Sequence, residues 1–323
     1  MVVSFVMSSV QARDYRAKDL ATAQVAREIW DVYEFKTNTY SPSNAYLCAH
    51  AVQAMAQHED DGAIAGNFFD QVERIDGGKD MPQVVVAVGD KMVLAVFYFP
   101  QYHNVGKMWK FLQLGFTDSV EWLGEGNRVL SGCVTGIDVI WDDFHAQIVA
   151  AGGGNLPVWL VGHGLGGSLA VLAAHRLAAD AGIPIQGVYT FGQPKVGDSG
   201  FATSFAEELG ELDDGGPLYR VVYRDDIVPR LTPPYVSTTR LVINTLSPYV
   251  HFGALMYISR DGRVEANPGH LESLDASYFE LKDRRNHEIG IYQRFLYDTL
   301  DEELRAQLPK PVGLRRSKRI RKY

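Results

Sequence analysis

The sequence predicts an α/β fold, with a mostly parallel central sheet and helices on both of its faces. Three observations carry that expectation. Strand-like and helix-like segments alternate through the middle of the chain. The strand-like runs at 92–99 and 157–162 are apolar almost throughout, which is the pattern of strands covered on two sides. The run that ends at Gly162 meets a Gly-rich turn and then an Ala/Leu-rich helical stretch, so that 158–177 reads VWLVGHGLGGSLAVLAAHRL.

From the N-terminus, residues 17–35 and 44–60 carry helical apolar spacing. Pro42 and Asn44 lie between them as turn and N-cap signals. Residues 63–76, AIAGNFFDQVERID, are expected to add a short amphipathic helix. The breaker cluster GGKDMP then introduces QVVVAVGDKMVLAVFYFP, two β-rich runs joined at Gly-Asp, and hence a hairpin. VGKMWKFLQL, at 105–114, is a short amphipathic segment. Residues 135–150 read as a helix, 157–162 as a buried strand, and 166–181 as a helix stopped by Gly182. A strand follows at 185–192, a short helix at 199–210, and strands at 219–223 and 241–245. A hairpin turned at Asp261-Gly262 and a helix over 287–304 complete the pattern. The expected organisation is an N-terminal segment (1–16), one α/β domain (17–307) and a basic C-terminal tail (308–323).

Composition is that of a globular protein, with 46% hydrophobic and 22% charged residues. The formal net charge of −8 argues against nucleic-acid binding by the folded body. Charge is unevenly placed. KPVGLRRSKRIRKY, from Lys310 on, holds seven basic residues and no acidic side chain, so the preceding residues carry −15 once the tail's +7 is set against the total. The tail suits a solvated end, a localisation or nucleic-acid signal, or contact with an anionic membrane surface. Cys48 and Cys133 are too few for a disulfide framework, and reduced buried thiols are expected. No convincing signal peptide or membrane-spanning run is present, which favours an intracellular location. No metal-ligand spacing is visible and no Lys follows the Gly-rich turn as in a phosphate loop, so no cofactor is expected.

Gly162-His163-Gly164-Leu165-Gly166 has the layout of a nucleophile elbow, G-x-S-x-G, with glycine where the attacking serine belongs. An acyl-transfer site also needs a base that takes the nucleophile's proton and an acid that orients the base. On this fold they follow the elbow in the order acid, then histidine. YRVVYRDDIVPRLTPP puts Asp226 just past a strand end, and DRRNHEIGIYQRFL puts His287 at the start of a helix. His251 is a second-choice base.

These segments resemble the class 3, or fungal-type, lipases of the α/β-hydrolase superfamily. That family's GHSLGG elbow is matched by GHGLGG at 162–167, and its YTFGxPxVG by 189–197. DIVPxLPP is matched from Asp226 to Pro234 with one inserted Thr, and His-x-Gly by 251–253. The resemblance runs from about 80 to 298. It implies hydrolysis of carboxylic esters in lipids through an acyl-enzyme, with triad-equivalent positions Gly164, Asp226 and His287. The backbone N–H of Leu165 is the implied oxyanion donor. A lid-like segment is implied around 106–114, whose Trp109 and Phe111 would contact an apolar lipid or acyl-ester ligand.

Two departures stand out. Gly164 lacks the nucleophile, and Ser168 lies too far into the helix to replace it. The family's FRGT or FRGS turn, which supplies oxyanion donors, is replaced by Phe97-Tyr98-Phe99-Pro100-Gln101, where Pro100 has no N–H. The expectation is a lipase-like protein that is catalytically impaired. The alternative is an active lipid ester hydrolase, either with Gly164 introduced or with water activated directly by His287 and Asp226.

Overall fold

The computed structural model describes residues 30–56, 69–99, 116–117, 120–152, 154–210, 216–224, 226–230, 235–237, 240–242, 249–259, 261–268, 286–308 and 310–311. Within them, eight strands form one sheet: β1 (Phe69–Asp76), β2 (Gln83–Gly89), β3 (Val93–Tyr98), β4 (Val158–His163), β5 (Ile185–Phe191), β6 (Leu218–Tyr223), β7 (Ala254–Ile258) and β8 (Val264–Ala266). Their order across the sheet is their order along the chain. β3 to β7 run parallel, and antiparallel pairs close both edges.

That order fixes where the helices go. Each step from β3 to β6 moves the same way across the sheet, and right-handed crossovers then put every connecting helix on one face. Helices α2 (Ser131–Ala150), α3 (Leu165–Ala181) and α4 (Ser199–Leu209) do share a single core there, built on Phe97, Phe144, Leu160 and Phe201. The other face is covered by segments from the two ends of the described chain, α1 (Pro42–Ala56) and α5 (Ile289–Thr299), packed on Trp159, Tyr189 and Tyr219. A last short helix, α6 (Glu302–Gln307), follows.

Local chemistry accounts for the boundaries. Ser41 Oγ accepts the Asn44 N–H at the start of α1, and Pro42 takes the first helical position, where a missing N–H costs nothing. Gly182 ends α3 in the left-handed conformation (φ 61°). Asp198 caps α4 by accepting the Phe201 N–H. The stretch 35–41 crosses one face of the sheet as a strap. Trp159 Nε1 donates to Phe35 O, Gln186 Nε2 to Thr37 O and Tyr219 OH to Asn38 O, while the Ser41 N–H donates to the Tyr189 hydroxyl.

Three expectations need correction. Residues 69–76 form an edge strand, not part of an amphipathic helix; FDQVERID fits either period, and pairing with β2 decides it. The pattern at 17–35 does not continue as helix past Trp30, where turns lead to the strap; residues 17–29 lie outside the described residues. The 287–304 helix is two helices. His287 sits in a short 3₁₀ turn before α5, and Asp301 caps α6 after a break at Leu300. The expected strand near 241 is present as Arg240–Val242, paired with Tyr235–Ser237 in a hairpin of its own.

Candidate active site

The site lies at the C-terminal ends of β4, β5 and β6, where parallel sheets present their ligands. β4 ends at His163, and Gly164 turns the chain sharply into α3 with φ 55° and ψ −124°. The Gly164 N–H donates to Phe191 O at 2.9 Å, which ties the turn to β5. The flanking glycines are there for close approach. A Cβ on Gly162 would stand 2.2 Å from Gly166 O, and one on Gly166 2.4 Å from Phe97 O. Helix, elbow and β3 therefore pack backbone to backbone.

Asp226 is fully buried past the end of β6. Its carboxylate accepts from three donors. Oδ1 accepts the Val228 N–H at 2.9 Å, while Oδ2 accepts His287 Nδ1–H at 2.8 Å and the Tyr292 hydroxyl. Burial and the carboxylate together hold the Tyr292 phenol well above its ordinary pKa, so it stays a donor. With Nδ1 donating to Asp226, the neutral His287 ring carries its lone pair on Nε2. That nitrogen is buried and has no hydrogen-bond partner. It points at Gly164: a Cβ there would lie 2.8 Å from Nε2 and 3.2 Å from Cε1. His163 stacks on the same ring, with centroids 4.1 Å apart. Gly192 (φ 58°) leaves the group its space, because a Cβ would stand 2.5 Å from Asp226 Oδ2 and 2.8 Å from His287 Nδ1.

The structure thus brings Gly164, Asp226 and His287 together. Leu165 opens α3, where the first N–H groups have no acceptor within the helix. Ser168 is fully buried inside α3, with no hydrogen bond from its hydroxyl. His251 is elsewhere: its Nε2 donates to Pro229 O at 2.7 Å, and burial followed by the Arg220 charge holds its pKa well below the usual range. Cys48 and Cys133 are free and buried, with thiols pushed up to about 12 by desolvation, which suppresses thiolate chemistry. Trp109, Phe111, Pro100 and Gln101, and the basic tail beyond residue 311, lie outside the described residues. Sequence reasoning missed Tyr292, five residues beyond His287 in the first turn of the helix that follows it; no local signal ties that tyrosine to Asp226.

Among the described residues no group of three or more His, Cys, Asp and Glu is arranged to hold a metal ion, and no helix is long and apolar enough to cross a membrane.

Comparison with known proteins gives a consistent picture. Residues 95–236 match the family model described as Lipase (class 3). The chain is 38% identical over 102 residues to the triacylglycerol lipase OBL1 of Arabidopsis thaliana, a match spanning 30% of this chain and 18% of that one. It is 44% identical over 82 residues to the secreted mono- and diacylglycerol lipase 2 of Gibberella zeae, across 24% of this chain and 20% of that one. These matches span only about a fifth of the relatives' own lengths. In fold, the chain is similar to the crystal structure of a mutant form of MDLA from Penicillium cyclopium. The TM-score is 0.54 at 18% identity, covering 85% of this chain and 96% of that one.

Proposed function

Because residues 95–236 match the Lipase (class 3) family model, we propose that this chain is a catalytically impaired class 3 lipase-like protein that binds an acyl-ester lipid without forming an acyl-enzyme. The observation that carries this is the position of the His287 imidazole. In a working nucleophile–base pair it is the hydroxyl that sits about 2.6–3.2 Å from the base. Here Nε2 lies 2.8 Å from where the Cβ alone would be. The ring occupies the space of the missing hydroxyl, and Gly164 has no atom for it to activate. Loss of the nucleophile in a serine hydrolase costs on the order of 10⁶ in kcat.

The test is labelling with a serine-directed fluorophosphonate, followed by incubation with a lipid extract and mass spectrometry of what is bound and what is cleaved. The expected outcome is no label, no burst of product and intact acyl esters in the bound fraction. Stoichiometric labelling overturns the proposal.

A second reading has its own support, the buried, unpartnered Nε2 held in orientation by Asp226. Such a base is able to draw a proton from water directly. Under that reading slow ester hydrolysis is measurable without labelling, and His287→Ala abolishes it. If instead Gly164→Ser alone restores hydrolysis and labelling, the chain is a lipase that lacks only its nucleophile.

A further inference from the structure

Arg220 lies on β6 and is 6% exposed. A buried guanidinium normally meets a carboxylate, because its desolvation is otherwise uncompensated. Arg220 meets two carbonyls instead. Nε donates to Phe252 O at 2.6 Å and Nη2 reaches Gly253 O at 3.5 Å, while Nη1 is buried with no partner. No ion pair forms at Arg220 among the described residues. Desolvation pushes its pKa down to about 10, so the group remains cationic at neutral pH.

The neighbouring strands show what surrounds it. On β5, Thr190 is the register partner of Arg220 and shares its face of the sheet. Its hydroxyl is also fully buried and unpartnered. On β7 the register partner is Leu255, an apolar residue where a carboxylate would neutralise the charge. Lys195, 9% exposed, adds positive charge close enough to act on His251. His251 is held neutral there and gives its Nε2–H to Pro229 O, so it brings no negative charge either.

We propose that Arg220 Nη1 and the Thr190 hydroxyl bind a small monovalent anion of the halide class, buried on the face of the sheet beneath the elbow. Two orphaned donors on adjacent strands, one of them cationic, form the site. The anion supplies the counter-charge that Leu255 does not. The site bears on the acid loop, because Arg220 holds the carbonyls beside His251 and His251 holds Pro229, three residues after Asp226. It does not depend on the reading of Gly164.

The test compares thermal unfolding of the full chain in sodium chloride and in sodium gluconate at matched ionic strength, together with the ³⁵Cl NMR linewidth. The wild-type chain should gain several degrees of Tm in chloride, saturating with concentration, and should broaden the chloride line in a way that bromide displaces. Arg220→Met should lose both responses. Leu255→Glu, which places a carboxylate across from the guanidinium, should lose them too while keeping its Tm in gluconate. Equal Tm in the two salts, or no displaceable broadening by the wild-type chain, overturns the proposal without reference to any variant. So does a chloride response that persists in Arg220→Met or Leu255→Glu.

Discussion

At Gly164 and Gly192 the absence of a side chain does opposite things. Gly192 makes the Asp226–His287 contact possible: an added methyl meets Asp226 Oδ2, His287 Nδ1 and the Tyr292 hydroxyl at once, at a backbone φ of 58°. Gly192→Ala is therefore expected to destabilise the protein by at least ~3 kcal/mol, combining steric overlap with left-handed strain, as read from the urea midpoint. Gly164 instead leaves room for the edge of the His287 ring close to its own backbone. Gly164→Ala meets only the end of that ring, so its expected cost is smaller, about 1–3 kcal/mol, chiefly from forcing a side chain into this region of φ and ψ. The elbow glycines were legible in the sequence because their need is local, a tight turn after a strand. Tyr292 was not, because nothing near it in the chain reveals that its hydroxyl ends on Asp226, 66 residues earlier. Tyr292→Phe should cost about 1–2 kcal/mol by removing one of the three donors to that carboxylate, with the fold otherwise retained in circular dichroism.

Elements with an unambiguous period, β2 to β6 and α2 to α4, are where sequence and structure agree within a residue or a few. Those that differ are ones in which packing decides between two workable patterns. β1 buries Phe69 and Ile75 while its polar residues face out, and only the presence of β2 alongside makes it a strand. At the C-terminal end, a periodic stretch long enough for one helix is divided because Leu300 adopts an extended conformation (ψ 149°) and Asp301 starts a new helix by accepting the Leu304 N–H. Asp301→Ala should cost about 1 kcal/mol and loosen α6 in amide exchange while α5 stays protected.

For the molecule as a whole, one face of the sheet is closed by the crossover helices and the other by α1 and α5, drawn from distant parts of the chain. The strand sequence and the handedness rule made the first face foreseeable; the second depended on long-range docking that no local pattern encodes. Acid stability is a property at this scale. Burial lowers His175 from 6.5 to about 4 and holds His251 well below 6.5. The unfolded chain binds these protons first, so the stability that comes from keeping both rings neutral is complete above pH 6.5 and is lost as pH falls toward 4. Tm should drop across that window. In His175→Gln the drop should be shallower, provided the hydrogen bond to Ser204 survives.

The strap at 35–41 sets an order of events. Its bonds join residues separated by 124 to 181 positions along the chain, to β4, β5 and β6 in turn. None can form before those strands are assembled, since closing so large a loop early has little to offset its entropy. The strap is thus among the last parts to dock. Weakening it, for example by Tyr219→Phe, should accelerate unfolding while leaving the refolding rate nearly unchanged. A segment that only fastens what is already built acts as a latch on the lifetime of the native state, not as a guide to reaching it.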